Sequence, residues 1–243
     1  KDITVTVNAV DSRYKAEQTG FTEATGKLAT VTEGTHKDKE YISYEGKKGT
    51  ASTATSIQAT DKIRIYQNGG LLVIGAAKGC KIDQVFLTTG GTYNTTTIGY
   101  SKTETAIAES GDNVAKNTEW GTPTGLNTDT VVIVCLGISS STRIDVATLT
   151  VYYTGDPIEV SSIAVGGTYQ TEFEKNETFI HDGLVVTATY TDESEADVTA
   201  LAEFSDPDMT TLGVKTVTVS YGGKSTTYDI EVVAATLTEI ALS

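Results

Sequence analysis

Two histidines, two cysteines and 32 carboxylates are the side chains with which this chain of 243 residues could do acid–base, nucleophilic or metal chemistry. Imidazole is the commonest general base near neutral pH, so the two histidines come first. His36 lies in the charged run Thr35-His36-Lys37-Asp38-Lys39-Glu40, which predicts a solvent-facing ring. His181 precedes Asp182-Gly183, which predicts a solvated turn residue. No serine stands in a G-x-S-x-G elbow, no phosphate-cradling glycine loop precedes a helix, and no histidine pair has zinc-ligand spacing. Cys135 sits inside the apolar run Val131-Val132-Ile133-Val134-Cys135-Leu136. It reads either as a small buried hydrophobe or as half of a bridge to Cys80. Carboxylates cluster in Asp192-Glu193-Ser194-Glu195-Ala196-Asp197 and in Asp206-Pro207-Asp208. These read as solvated acidic loops. Calcium is a secondary reading, since oxygen-rich loops bind it, but the EF-hand spacing is missing. The inventory predicts no catalytic residue, no metal site and no cofactor.

Binding chemistry is better represented. A sugar site on a β-sandwich needs an aromatic face for C–H groups and planar polar groups for hydroxyls. Arg64 and Tyr66, two residues apart, are expected on one strand face, with Tyr41 and Tyr44 upstream in Glu40-Tyr41-Ile42-Ser43-Tyr44-Glu45. Trp120, the only tryptophan, sits in Asn117-Thr118-Glu119-Trp120-Gly121-Thr122. It is either exposed for contact or folded down as a lid on the core. Arg64 and Tyr66 likewise read either as contact residues or as part of a covered sheet face.

Strands must position all of these. Threonine accounts for 44 residues, and with Val and Ile it makes β-branched side chains dominant; their stiffness suits a pleated surface. Ile3, Val5 and Val7 alternate with polar residues, as a half-buried strand does. In Asp61 to Gln67, Ile63 and Ile65 should face a core while Lys62, Arg64 and Tyr66 share the other face. Asn68-Gly69-Gly70 reads as a hairpin turn leading to Leu71-Leu72-Val73-Ile74. Lys81 to Thr89, the run 131–138 (apolar on both faces, hence central) and Arg143 to Tyr153 complete the first half. Two long polar stretches, about 14–40 and 101–130, separate these strands, and Thr103 to Lys116 has room for a short helix. Five further strands are predicted at Val160–Val165, Leu184–Tyr190, Val198–Phe204, Val214–Tyr221 and Thr226–Val233, with Gly222-Gly223 as a tight hairpin.

Charge separates the chain. Up to Gly155 there are 15 Lys/Arg and 16 Asp/Glu; from Asp156 on there are 3 and 16. Thr154-Gly155-Asp156-Pro157 is a breaker between them, so the expected organisation is a jelly-roll-like β-sandwich over 1–155 and a second domain over 156–234. Leu237-Thr238-Glu239-Ile240-Ala241-Leu242 repeats the apolar spacing of Val160 to Val165, so 235–243 is expected to begin a further repeat, truncated here. The acidic half disfavours nucleic acid and anionic membranes. No apolar run reaches the ~18 residues of a bilayer span. The first residues do not resemble an export signal, which is therefore expected to lie outside this sequence.

Residues 158–233 resemble a bacterial Ig-like domain of group 3. The resemblance is carried by Ile163-Ala164-Val165, Tyr169, Lys175-Asn176-Glu177-Thr178-Phe179, Asp182 to Tyr190, Asp192, Val198-Thr199, Leu212-Gly213 and Lys215 to Lys224. Asn176 stands where the family usually has glycine, and Glu193 follows Asp192 where glycine is again usual. The resemblance implies an extracellular spacer or adhesion module without a catalytic group. Residues 1–155 more loosely resemble a β-sandwich module found beside Ig-like repeats and appended to secreted enzymes of gut bacteria, through Ile63 to Tyr66, Leu71 to Val73, Gly79, Lys81-Ile82, Val85 and Leu149 to Tyr153.

The reading is therefore an all-β chain of two tandem β-sandwiches, the second immunoglobulin-like, and not an enzyme. It is expected to be a secreted or cell-surface bacterial segment, a monomer, meeting a glycan or a host surface protein through Arg64, Tyr66, Tyr41, Tyr44 and Trp120. Two other readings stand beside it: accessory domains of a larger secreted hydrolase, and a structural stalk without a ligand.

Overall fold

The computed structural model describes residues 12–58, 61–90, 95–105, 111–115 and 117–235. The strand expected at Ile3 to Val7 and the repeat expected at Leu237 to Leu242 lie outside them. The chain divides into two units, Lys1–Pro157 and Ile158–Ser243.

The first unit is built of twelve described strands: β1 (Tyr14–Thr19), β2 (Thr25–Leu28), β3 (Ile42–Lys47), β4 (Ser56–Gln58), β5 (Lys62–Ile65), β6 (Leu71–Ala76), β7 (Lys81–Thr89), β8 (Thr95–Ser101), β9 (Gly111–Ala115), β10 (Glu119–Gly121), β11 (Thr130–Cys135) and β12 (Ile144–Thr154). They form two six-stranded antiparallel sheets. Sheet I runs β10-β7-β12-β5-β4, with β1 paired to the C-terminal half of β12; sheet II runs β2-β3-β6-β11-β8-β9. Between them lies one core, to which β11 contributes Val131, Ile133 and Cys135, β12 contributes Val151 and Tyr153, and β7 contributes Ile82, Val85 and Leu87. Each fully buried aliphatic side chain contributes about 2 kcal/mol through removal from water.

Two register shifts alter the alternation. One falls at Asp83, between the pairs Tyr152/Gln84 and Tyr153/Ile82; the other falls at Ala147, between the pairs with Val146 and Thr148. An extra residue in one strand reverses the inward phase. That is why Ile82 and Val85, three residues apart, both point inward, and why Val146 and Leu149 do likewise.

Several expectations change. Asn68 and Gly69 do take positive φ, 62° and 92°. They do not close a hairpin, because β5 belongs to sheet I and β6 to sheet II. The turn carries the chain across the sandwich and is tied to the end of β11 by Gly69 N–H to the Cys135 carbonyl, 2.9 Å. The polar stretch 14–40 contains β1 and β2, and β9 lies where a short helix had room; cross-strand pairing supplies what local apolar pattern does not. Both cysteines are buried thiols and are not bridged.

The second unit comprises β13 (Val160–Gly167), β14 (Glu172–Glu174), β15 (Leu184–Tyr190), β16 (Glu195–Asp197), a 3₁₀ turn (Thr199–Leu201), β17 (Glu203–Phe204), β18 (Gly213–Tyr221) and β19 (Lys224–Val233). Sheet III is β13-β15-β16, and sheet IV is β14-β19-β18-β17 with β14 parallel to β19. The strand predicted over Val198–Phe204 is instead the 3₁₀ turn followed by the two-residue β17. Val198 is buried at the head of that turn, its carbonyl accepting from Leu201 and Ala202 N–H. Gly222 and Gly223, at φ 56° and 75°, close the β18–β19 hairpin as predicted, with Tyr221 opposite Lys224.

Candidate functional site

The five residues expected to form a contact surface do not converge. Tyr44 points into the first unit's core, edge-on to Phe21 at 5.6 Å. Trp120 is also buried, the lid reading rather than the exposed one: β10 pairs with β7 so that Trp120 stands beside Leu87, and its indole N–H donates to Asp112 Oδ2 at 3.0 Å. Tyr41 packs against the core from its margin. Arg64 lies opposite Asp145 and forms a two-point ion pair with it, Nε–Oδ1 2.6 Å and Nη2–Oδ2 2.9 Å, while the Asp145 side chain is only 3% exposed. Tyr66 follows β5 rather than lying on it, half-buried under the Arg143 guanidinium at 4.9 Å.

His36 corrects the sequence reading most directly: it is 3% exposed, not solvent-facing. Its ring stacks on Tyr14 at 3.7 Å and meets Tyr41 edge-on. Nδ1 lies 3.1 Å from the Tyr153 hydroxyl, Nε2 lies 3.0 Å from Asp156 Oδ1, and Thr30 Oγ1 lies 2.7 Å from the same Tyr153 hydroxyl. One proton order satisfies every group: Thr30 O–H donates to Tyr153, Tyr153 O–H to His36 Nδ1, and Nε2–H to the Asp156 carboxylate. Burial holds the neighbouring groups neutral, pushing Tyr153 up to about 12 and the Cys80 thiol to about 11. A buried tyrosine and a thiol in these forms supply neither an activated nucleophile nor an accessible base at neutral pH. The chain of bonds therefore fastens the end of β12 to the β2–β3 connection. His181 is exposed on its loop as expected, stacked on Phe204 at 4.1 Å.

A different surface assembles on the outward face of sheet I. Register places Lys15, Tyr152 and Gln84 in one row across β1, β12 and β7, and Glu17, Thr150, Phe86 and Gly121 in the next row across β1, β12, β7 and β10. Phe86 and Tyr152 are half-buried and meet at 80°, centroids 6.1 Å apart. Gly121 permits the close approach of the Phe86 ring, since a Cβ there would fall 2.4 Å from a ring carbon. The Arg13 guanidinium lies 4.6 Å from the Tyr152 centroid and bonds Asp83 Oδ2 at 2.7 Å and Gln84 Oε1 at 3.3 Å. Lys15 Nζ sits 2.7 Å from Glu17 Oε2, and the Thr150 hydroxyl donates to that carboxylate at 2.8 Å. The Lys15 ammonium holds the Glu17 carboxyl below the ordinary range, and Glu17 in turn raises Lys15. Lys15, Glu17, Phe86, Glu119, Thr150 and Tyr152 line a shallow hollow of about 170 Å³. The arrangement can offer aromatic surface beside fixed donors and acceptors. Phe86 and the Tyr152-Tyr153 pair are visible in the sequence, but nothing local tells which tyrosine faces outward.

Among the described residues there is no group of three or more His, Cys, Asp or Glu placed to hold a metal ion. None of the helical structure described is long and apolar enough to cross a membrane.

Comparison with known proteins places the second unit. Residues 171–232 match the bacterial Ig-like domain (group 3). No curated protein matches the chain. Among solved structures, the glycoside hydrolase domain of Endo-D from Streptococcus pneumoniae R6 is similar at a TM-score of 0.22 and 9% identity, over 89% of this chain; the chain spans 43% of that one.

Proposed function

We propose that this chain is a non-catalytic, adhesive part of a secreted or cell-surface bacterial protein, in which the Ig-like unit is a spacer and the first sandwich carries a carbohydrate-binding platform. The match at 171–232 supports an accessory role, because domains of this type are typically non-catalytic. One observation carries the binding reading. Phe86 and Tyr152 stand on one sheet face beside Arg13, Lys15, Glu17, Gln84 and Glu119, a combination of aromatic surface and planar or charged polar groups spread across four strands. Saccharide sites need that mixture, because sugars present an apolar C–H face and a polar hydroxyl rim.

The test is a glycan array probed with the whole chain, followed by titration calorimetry on each hit. Saturable binding is expected, weakened at least about tenfold by Tyr152→Ala or Phe86→Ala, as removal of an aromatic anchor predicts. A silent array at high protein concentration would leave the structural stalk as the better reading.

A further inference from the structure

Resting on that platform reading, we infer that Glu119 is its specificity-determining residue, selecting neutral saccharides with two adjacent free hydroxyls over acidic ones. The platform's other charged groups are already engaged: Arg13 with Asp83 and Gln84, and Lys15 with Glu17, whose carboxylate also accepts from Thr150. Glu119 differs. It is exposed, and among the described residues its carboxylate has no hydrogen-bond or ion-pair partner, although its charge is felt by Lys15. It lines the same hollow as Phe86 and Tyr152. Its position is fixed by β10: Glu119 pairs with Thr88, and Gly121, on the same face, pairs with Phe86, so the carboxylate stands one row along from the ring.

The chemistry of the ligand follows from those groups. An ionised carboxylate is acceptor-only, with two oxygens and about four lone-pair sites. A sugar whose C–H face lies against Phe86 can direct two neighbouring hydroxyls at those two oxygens. Such charge-assisted bonds are roughly twice as strong as neutral ones. A uronate or sialate would instead bring a carboxylate toward Glu119, with Glu17 and Asp83 already on the same face. Neutral hydroxyl pairs suit the set of donors, acceptors and charges best.

The experiment titrates the whole chain with neutral gluco-, galacto- and manno-oligosaccharides, with galacturonate and sialylated oligosaccharides, and with Glu119→Gln and Phe86→Ala variants. Thermal melts check that the variants fold. Expected are binding by at least one neutral class and none of the acidic ones, and a loss of about tenfold in Glu119→Gln without a change in melting temperature, the loss of one strong bond in affinity terms. Glu119→Lys should admit the acidic sugars. If Phe86→Ala abolishes binding but Glu119→Gln stays within twofold of the parent, the Glu119 grip is wrong and the platform stands. Preference for acidic sugars by the parent overturns the grip as well. No binding by any sugar overturns the platform and the grip together.

Discussion

The two units solve the same problem with different means. The first is nearly balanced in charge and has two six-stranded sheets with one large core between them and a small second cluster, Val132 and Val134, on the other face of β11. It also spends buried polar groups as fasteners: the Arg64–Asp145 pair, and the path from Thr30 through Tyr153 and His36 to Asp156. The second, from Ile158 on, carries 15 acidic against 3 basic residues. Its core separates into two small clusters, one around Val186, Ala188 and Val219 and the other of Phe173, Val217 and Ile230. Its polar bonds are mostly local turns at the surface, such as Asp208 accepting from Thr210 and Thr211, and Asp197 from Thr199. A larger sandwich has enough interior to enclose polar networks, whereas a smaller one relies on turn geometry to define where its strands reverse. On the proposed reading, the broad sheet face of the first unit is the platform and the second unit is the spacer, whose acidic surface would favour solubility.

The largest effect that would sharpen this contrast is expected from Asp145→Ala. It takes the paired carboxylate away from the largely buried guanidinium of Arg64 and should cost about 3 kcal/mol. Trp120 is the only tryptophan and lies in the first unit, so its fluorescence during denaturation reads that unit alone. A shifted tryptophan transition is the expected result. An unshifted one would mean that the pair is not a fastener. A double replacement, Arg64→Met with Asp145→Leu, should recover most of the loss, since it leaves no buried charge at either position.

A smaller effect of opposite sign belongs to the second unit. Glu193 has φ 64°, in the left-handed region, where a side chain other than glycine or asparagine is strained. Glu193→Gly relieves that strain but adds freedom to the unfolded chain, for a net gain of about 0.5–1 kcal/mol. Circular dichroism should show a rise of a few degrees in the second unit's melt, with the tryptophan signal unchanged. Asn176, at φ 66°, is already a tolerant residue, so Asn176→Gly should move the melt less.

The smallest effect is electrostatic and is lost only in acid. Hydrogen bonds from the Thr210 and Thr211 hydroxyls and from Thr210 N–H hold Asp208 down to about 2. A folded value below the unfolded one, about 3.9, means that the contribution to stability is complete above about pH 4 and disappears as pH falls through about 2. Asp208→Asn should therefore melt below the parent at pH 7 and together with it at pH 2. A gap that persists at pH 2 would show that the turn depends on the side chain's shape, not its charge.

Much of the strand content was legible locally. Ile63 and Ile65 alternate with Lys62 and Arg64 and do point inward; Val217 and Val219 do the same beside Thr216 and Thr218. The run Val131 to Cys135 was recognisable as a central strand because it is apolar on both faces. Short polar strands such as β9 and β16 were not legible, since their stability comes from a neighbouring edge rather than from their own apolar residues. His36 illustrates the same limit for a site. It sits among charged neighbours in sequence, and its partners Tyr153 and Asp156 lie 117 and 120 residues away.

Local composition and periodicity thus determined that this chain is all-β and that its net charge is lodged in its second half, while a resemblance carried by particular residues pointed to an Ig-like domain there. They could not determine which residues share a surface. The phase of β7 and β12 is reset by extra residues at Asp83 and Ala147, so alternation counted along the chain does not say which of Tyr152 and Tyr153 is core. Pairing across β1, β12, β7 and β10 decided it, burying Tyr153 with His36 and turning Tyr152 outward beside Phe86. A side chain's direction is a local property of a strand, but its neighbours are set by hydrogen bonding to other strands, and that information exists only once the sheets have formed.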